Sequence, residues 1–461
     1  MENSSTKKYA FILGRERELA LAELKAVLGR FCFDGEPSRT HFDFSILSVY
    51  ENIAIIKIDS EASESAVSSL AKTLGGTVKI FRIMNHESRI TDSFSIKKAM
   101  ADFIFERKEE GGKLNYGISS YFKGYNRTFV NNLGLSIKKE LKRDMSLRFV
   151  ALTEGIELSS IQSLKNKLDC EGLEFGLFNN EIGVLIGLSN AEEWSKRDYD
   201  KPAGDKYSGM VPPKLARAMV NLALGKIQVA SSKGPHFAEA TRGKQVAREI
   251  ENPCDSLLAT RSLVVDPFCG SGNILMEAMM LGCDVFGSDN SAKAVEDTEA
   301  NLRWLNDKFL IPNVKQNVKA KSPKFKVLNA DATGEELIRN LKLEIRNYDD
   351  TVIVAEPYLG SPKKFQSTEK AVRGEYAKIK ELYLSFLENL KKLLATDHRP
   401  PTIFCLVFPL VETLEGKRFS LFAECVDEIK KMGYILLEPP FMYGRDYQVV
   451  KRQIVLLSLN S

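Results

Sequence analysis

The sequence lacks any apolar run long enough to span a bilayer; the longest, such as Thr402 to Leu410, falls far short of the roughly 20 residues a membrane helix needs. The first residues, Met1 to Lys8, are polar and have no signal-peptide core, so a cytoplasmic location is expected and no membrane partner. Cysteine is scarce and scattered. The seven residues Cys32, Cys170, Cys254, Cys269, Cys283, Cys405 and Cys425 form no CxxC pair, which argues against a disulfide framework and a structural zinc site. The four histidines, His41, His86, His236 and His398, have no ligand spacing, so no metal is expected. Nor is there much excess of charge. The 65 Lys and Arg against 61 Asp and Glu leave +4, too little to prove a nucleic-acid partner, which has to be argued from local clusters. What remains is ordinary globular material: 461 residues, 44% hydrophobic and 27% charged, without internal repeats, long enough for about three domains at roughly 150 residues each.

The clearest local signal is Leu263-Val264-Val265-Asp266-Pro267-Phe268-Cys269-Gly270-Ser271-Gly272-Asn273-Ile274, an apolar strand running into a glycine turn and then a helix. That pattern opens a doubly wound α/β sheet, in which ligands bind beyond the carboxyl ends of the strands. Further strands are expected at Cys283 to Ser288, Phe325 to Leu328, Thr351 to Ala355 and Pro401 to Phe408. Tyr434 to Glu438 and Val449 to Ser458, separated by a turn around Gly444, read as a closing hairpin. The first 200 residues read instead as one or two small α+β units, with strands at Lys8 to Leu13, Val78 to Ile83 and Asn115 to Ser119 and a helix at Glu18 to Leu28. A linker is expected over Pro202 to Pro213, followed by a helix from Lys214 to Leu224 that Gly225 ends. Periodicity is lost from Lys226 to Thr260.

Gly270 and Gly272 let backbone N–H groups and a helix N-terminus come close to a ligand. A glycine loop alone is a weak sign. Asp289 strengthens it, lying 23 residues beyond Asp266 at an expected strand end, where a carboxylate can accept both ribose hydroxyls. Asp331 ends the third strand, at the height where an adenine amino group needs an acceptor. Each acid alone could equally cap a helix or solvate a loop; the three together describe a nucleoside pocket. Its expected lining is Asp266, Pro267, Phe268, Gly270, Gly272 and Asn273, then Asp289 and Asn290, then Asp331 and Ala332. A loop that opens on an aspartate repels a phosphate and attracts an ammonium or sulfonium, so S-adenosylmethionine is the expected cofactor rather than a nicotinamide dinucleotide. The stretch Asp266 to Asn273 resembles the first motif of class I methyltransferases that act on nucleic acid.

Phe11-Ile12-Leu13-Gly14-Arg15-Glu16, Pro212-Pro213-Lys214-Leu215-Ala216-Arg217 before Asn221-Leu222, the Asp266 loop, and Tyr443-Gly444-Arg445 leading to Gln448-Val449 follow one another in this order. Together they resemble the THUMP-containing tRNA guanosine N2-methyltransferases that modify position 10 of tRNA. The resemblance spans nearly the whole chain and is looser over residues 35 to 200. It implies a ferredoxin-like α+β unit at 1–95, a THUMP RNA-binding domain at 96–200, a linker and helix at 201–225 and a class I methyltransferase domain at 226–461. It also implies that Pro213 helps seat the methionine end of the cofactor, and that a small activating protein subunit joins some relatives. The family carries an Asp-Pro-Pro-Tyr type motif after the fourth strand. This chain departs from it with Ala355-Glu356-Pro357-Tyr358, so either Glu356 or Ala355 stands at the aspartate position. A conjugated exocyclic amine is a poor nucleophile and needs an acceptor for its proton. Glu356 is the expected acceptor, Pro357 fixes the loop, and Tyr358 stacks on an extruded base. Without the resemblance, Glu356 reads equally as a solvated strand end and Tyr358 as core.

Phosphate contacts to RNA come mainly from Lys and Arg. Lys138, Lys139, Lys142, Arg143 and Arg148, against Glu140 and Asp144, form the expected RNA-binding cluster; the alternative is a solvated helix face. A second basic run, Lys315, Lys319, Lys321, Lys324 and Lys326, reads as a soluble insertion as readily as a contact surface. Cys269 could be imagined as a nucleophile, but it lies in the cofactor loop rather than on the base side. The expected activity is methyl transfer to a guanine exocyclic amine in tRNA. The competing readings are a DNA or rRNA amino-methyltransferase and a non-catalytic RNA-binding module.

Overall fold

A computed structural model of the chain describes residues 6–30, 44–58, 62–84, 92–107, 113–204, 210–231, 262–310, 322–361, 365–394, 402–445 and 448–459. The chain divides into two compact units, Met1–Arg17 with Phe42–Thr73 and Thr77–Glu193, and Glu18–His41 with Leu74–Gly76 and Trp194–Ser461.

The first unit holds β1 (Lys7–Leu13), β2 (Phe44–Tyr50), β3 (Ile53–Ile58), β4 (Thr77–Ile83), β5 (Lys113–Ser120), β6 (Ser146–Val150), β7 (Leu173–Phe178) and β8 (Glu181–Leu188). They form one sheet in the order β2-β3-β1-β4-β8-β7-β5-β6. Antiparallel pairing of β4 with β8, from Lys79↔Leu188 to Ile83↔Gly183, makes the sheet continuous across residue 95, where the sequence places a domain boundary. α1 (Arg17–Arg30), α2 (Glu64–Thr73), α3 (Ser93–Glu106), α4 (Arg127–Leu141), α5 (Ser160–Lys165) and α6 (Ala191–Tyr199) complete this part of the chain. α4 starts at Asn126, whose side chain accepts the Phe129 N–H at 2.9 Å. It buries Val130, Leu133, Ile137 and Leu141, one face of the helical repeat, in the core around Tyr116 and Phe175.

The second unit carries β9 (Ser262–Asp266), β10 (Asp284–Asp289), β11 (Phe325–Asn329), β12 (Asp350–Ala355), β13 (Thr402–Glu412), β14 (Arg418–Ser420), β15 (Tyr434–Leu436), β16 (Phe441–Tyr443) and β17 (Val450–Leu459). Its helices are α7 (Pro213–Ser231), α8 (Asn273–Met280), α9 (Ala292–Leu305), α10 (Glu335–Ile345), α11 (Glu369–Leu394) and α12 (Leu421–Lys431). The sheet runs β11-β10-β9-β12-β13-β17-β15, with the first five strands parallel and β17 antiparallel to β13. This is a Rossmann-like sheet, and it agrees with the expected α/β fold class. Leu263, Val265, Ile353 and Phe404 face a core with α10, α11 and α12, while Val264, Val352, Val354 and Ile403 face a core with α7 and α8. Strands covered on both faces read as unbroken apolar runs, which is why they stood out in the sequence.

Two expectations need correction. The closing hairpin is not one strand against one strand: β15 and β16 both pair with β17, Leu436 opposite Leu457 and Phe441 opposite Ile454. Pro439 and Pro440 lie between them and have no N–H for the ladder. The helix expected to end at Gly225 runs through it to Ser231, so the irregular stretch starts later than expected, and 232–261 lie outside the described residues. Gly225 serves close approach instead. A Cβ there would sit 2.6 Å from the Ala26 Cβ and 2.9 Å from the Ala26 carbonyl oxygen of α1.

α1 follows β1 in sequence yet belongs with the second unit. Leu19 joins the α7 core, and Glu23, fully buried, accepts from the Gly75 N–H at 2.8 Å, the Gly76 N–H at 2.7 Å and the Asn221 amide at 2.7 Å. Burial pushes the Glu23 carboxyl up, and these bonds pull against it. Gly225→Ala is expected to destabilise by about 1–3 kcal/mol through overpacking, although alanine is the better helix former by about 1 kcal/mol. A lower urea midpoint at unchanged slope checks it; a higher midpoint would contradict the contact.

Among the described residues no helix is long and apolar enough to cross a membrane, and no three His, Cys, Asp or Glu side chains group to hold a metal ion. The four histidines lie outside the described residues.

Candidate active site

β9 ends at Asp266, and the chain turns through Gly270 (φ +53) and Gly272 (φ +81) before α8 begins at Asn273. Both glycines take the left-handed region, where a side chain is strained. The turn is closed by the Gly272 N–H on the Cys269 carbonyl at 2.7 Å. α9 holds it from behind: Thr298 Oγ1 donates to the Gly270 carbonyl at 2.8 Å and the Asn301 amide to the Ser271 carbonyl at 2.8 Å. Cys269 is buried, with its thiol pushed up first by burial and then by the Asp266 charge, so it is no nucleophile. Phe268 is half-buried and packs edge-on against Phe386 of α11, 5.1 Å between centroids.

The acidic strand ends do not behave alike. Asp289 uses both oxygens locally, Oδ2 accepting the Gly270 N–H at 3.0 Å and Oδ1 the Ser291 N–H at 2.9 Å; it ties the glycine turn to the start of α9. Asn290 is exposed, and the cap of α9 is Ser291 rather than Asn290. Contrary to expectation, Asp331 does not end the third strand but lies two residues beyond Asn329, where β11 stops. It is exposed and curls onto its own turn, with Oδ1 accepting from the Thr333 hydroxyl at 2.6 Å and the Thr333 N–H at 2.7 Å, bonds that hold its carboxyl below the ordinary range. Ala332 beside it is buried.

Asp266 is the outlier. It is 1% exposed and accepts the Phe268 N–H at 3.1 Å. Burial pushes its carboxyl far above the ordinary range; the Phe268 N–H opposes this, and the Asp289 and Glu356 charges add to the rise. A buried carboxylate whose charged neighbours are two more carboxylates is a place that fits a cation.

At the end of β12, Ala355 is fully buried in the core, Pro357 is buried and Tyr358 is 54% exposed. Tyr358 is therefore not core. Glu356 is not a solvated strand end either: its carboxylate is held by Arg452 of β17, Nε to Oε2 at 2.5 Å and Nη2 to Oε1 at 3.0 Å. Burial works to lower the Arg452 pKa, and the Glu356 carboxylate more than offsets it. Sequence reasoning missed Arg452, although a signal was there. Arg452, Ile454 and Leu456 alternate onto one face of β17, and the latter two are core. A charge on an apolar stripe calls for a partner.

Reasoning from sequence also missed what seats the loop. Pro213 is the first residue of α7, and Lys201, Ala203 and Val211 before it bond to α8 and α9 beside the glycine turn. The Asn273 amide donates to the Val211 carbonyl at 2.6 Å, the Lys201 ammonium donates to the Asn273 side chain, and the Ala203 N–H meets the Asn301 side chain at 2.9 Å. Burial pulls the Lys201 ammonium down to about 8. Below these, Glu277 of α8 joins Arg197 of α6 at 2.7 Å and Arg217 of α7 at 2.6 Å, all three buried, with Arg197 stacked 4.3 Å from the Trp194 ring. A lone glutamate in the otherwise apolar run Asn273–Met280 was the clue.

In the first unit, Lys138, Lys139, Lys142, Arg143 and Arg148 are all exposed, at the end of α4, in the following turn and on β6. The neighbouring Glu140 is engaged by Lys97 at 2.5 Å. Of the second basic run, Lys315, Lys319 and Lys321 lie outside the described residues, and Lys326 is paired with Glu344 at 2.7 Å.

No protein-family model matches the chain. It is 27% identical to the tRNA (guanine(10)-N2)-dimethyltransferase of Methanothermobacter thermautotrophicus over 218 residues, 47% of this chain and 44% of that protein. It is 26% identical to the enzyme of the same name from Methanocaldococcus jannaschii over 305 residues, 64% of this chain and 70% of that one. The corresponding Pyrococcus abyssi protein is 29% identical over 140 residues, 30% and 32% of the two chains. The chain thus spans less than half the length of the first of these relatives. Among solved structures, magnesium protoporphyrin IX methyltransferase from Synechocystis PCC 6803 superposes with a TM-score of 0.28 at 15% identity, covering 58% of this chain and 94% of that one. The strand order, not that score, carries the fold.

Proposed function

We propose that the chain is an S-adenosylmethionine-dependent RNA methyltransferase that modifies a guanine exocyclic amine, with guanosine 10 of tRNA as its target. The observation that carries this reading is Asp266: a buried carboxylate at the tip of the first strand, beside a glycine turn, with two further carboxylates as its charged neighbours. Such a spot favours the ammonium and sulfonium of the methyl donor and disfavours the pyrophosphate of a dinucleotide. The names of the three relatives support the choice of tRNA and of guanine N2.

In this reading Asp266, Gly270, Gly272 and Asn273 hold the donor's amino-acid end, with Pro213 at the start of α7 behind them. Asp289 and Asp331 face its nucleoside, each with hydrogen-bonding capacity left on a carboxylate already oriented by backbone N–H groups. When bound, the donor supplies the electrophilic methyl group. The chain supplies orientation: Glu356 accepts from the amine, Pro357 fixes the loop and Tyr358 offers an exposed ring for the extruded base. Residues 1–95 serve as a ferredoxin-like unit and 96–200 as a THUMP domain whose Lys138, Lys139, Lys142, Arg143 and Arg148 contact phosphates.

A second reading, a donor- and RNA-binding module without catalysis, draws on one observation: Ala355 offers no carboxylate, and both Glu356 oxygens meet Arg452. Incubation with labelled donor and unmodified tRNA separates the two. Label in N2-methylguanosine is expected; intact binding of donor and tRNA with no label would leave only the module.

A further inference from the structure

The end of β12 and the start of β17 are separated by β13, and the ladder fixes how they meet. Ala355 pairs with Leu406, Leu406 with Val455, and Pro409, three residues further along β13, with Arg452. On its other side Arg452 pairs with Tyr443 of β16. Arg452 is therefore anchored by a strand on each side, and its guanidinium reaches back across β13 to the first residue beyond β12. Both side chains are 10% exposed. A two-point contact with a planar fork fixes a carboxylate in direction as well as position, which a lysine ammonium cannot do.

Resting on the methyltransferase reading above, we propose that Arg452 is the positioning residue of the reaction: it clamps Glu356 so that the lone pairs left outside the fork face the incoming guanine amine. Glutamate is one methylene longer than the aspartate of the motif this chain resembles, and its extra rotor would let the carboxylate wander. The clamp removes that freedom. It also gives Glu356 its own counter-charge.

The test is Arg452→Lys in the full-length protein, read as separate kcat and KM values for tRNA and for S-adenosylmethionine, with a melting curve alongside. Loss of in-register placement on this scale typically costs about 100-fold. A kcat lower by about that factor, with both KM values within twofold and the melting temperature held, is the expected result. An unchanged kcat overturns the proposal, as does a loss of kcat that merely follows weaker donor binding or a lower melting temperature. Glu356→Gln/Arg452→Gln serves as the second variant. It removes both charges together, so no uncompensated ion is buried, and it is expected to fold and to lose at least as much kcat; full activity in it refutes the clamp. If the unaltered protein binds donor and tRNA yet transfers no methyl group, the methyltransferase reading itself falls, and the proposal with it.

Discussion

Replacing Asp266 by asparagine is expected to weaken methyl-donor binding and, in the same protein, to raise the melting temperature. The carboxylate accepts one backbone N–H and sits 1% exposed within reach of the Asp289 and Glu356 charges. In the free protein its ionised form is penalised by burial and by those neighbours. Asparagine keeps the Oδ1 acceptor for Phe268 and carries no charge, so the penalty on the ionised form disappears. The gain should be read as roughly 2–4 °C for each kcal/mol relieved. Donor binding should weaken by about 10- to 100-fold, the worth of a charge-assisted contact of about 1.5–3 kcal/mol. The pH dependence follows from the direction of the shift. A carboxyl whose folded pKa lies above its unfolded value binds more protons when folded, so its contribution to stability is fully present below the ordinary value of 3.8 and is lost as pH rises through the raised pKa. The donor-free protein should lose stability over that window, and Asp266→Asn should lack this part of the slope. Calorimetric titration with donor and melting curves between pH 4 and 8 read both effects; unchanged donor affinity in the variant would remove Asp266 from the site.

The second large effect is expected at Glu277. Its two oxygens separately engage Arg197 and Arg217, and the three side chains are no more than 3% exposed. Glu277→Gln leaves two guanidinium charges in a dry place with an amide that cannot balance them. Breaking a buried pair in this way costs about 3–5 kcal/mol, on the order of 10 °C for a domain of this size. Exchanging all three residues for apolar ones of similar volume should recover much of that loss, because desolvation goes with the charges. A melting curve for the single variant that overlays the parent's would show the triad to be dispensable. The consequence reaches the cofactor site because α6, α7 and α8 meet at this triad, and α8 carries Asn273 in its first turn. Donor binding should therefore weaken in Glu277→Gln even where the protein is still folded.

The strands of the second unit were legible because β9, β12 and β13 are covered on both faces and spell unbroken apolar runs. Asp266 and Asp289 were legible for a related reason, since a charge closing such a run marks the carboxyl end of a strand. What the sequence did not reveal are pairings across long separations. Arg452 and Glu356 are 96 residues apart, and Glu23 and Asn221 are 198 apart. Neither spacing has a period to read, and only the strand order and the packing of α1 bring them together. Gly225 misled for a different reason. Glycine both ends helices and lets helices approach, and nothing local distinguishes the two uses. Asp331 lies past the end of β11 and followed local chemistry, spending one oxygen on its own turn through Thr333.

The placement of α1 bears on how the molecule is made. Leu19, Ala22, Glu23 and Ala26 find their packing partners around α7, an element that leaves the ribosome some 200 residues later. At roughly 5–20 residues per second, that is a wait of about 10–40 s. During synthesis this segment has no permanent berth until α7 follows it. Cutting the gene between the two halves would leave the later half without α1, which precedes most of the first unit in sequence yet packs with the second.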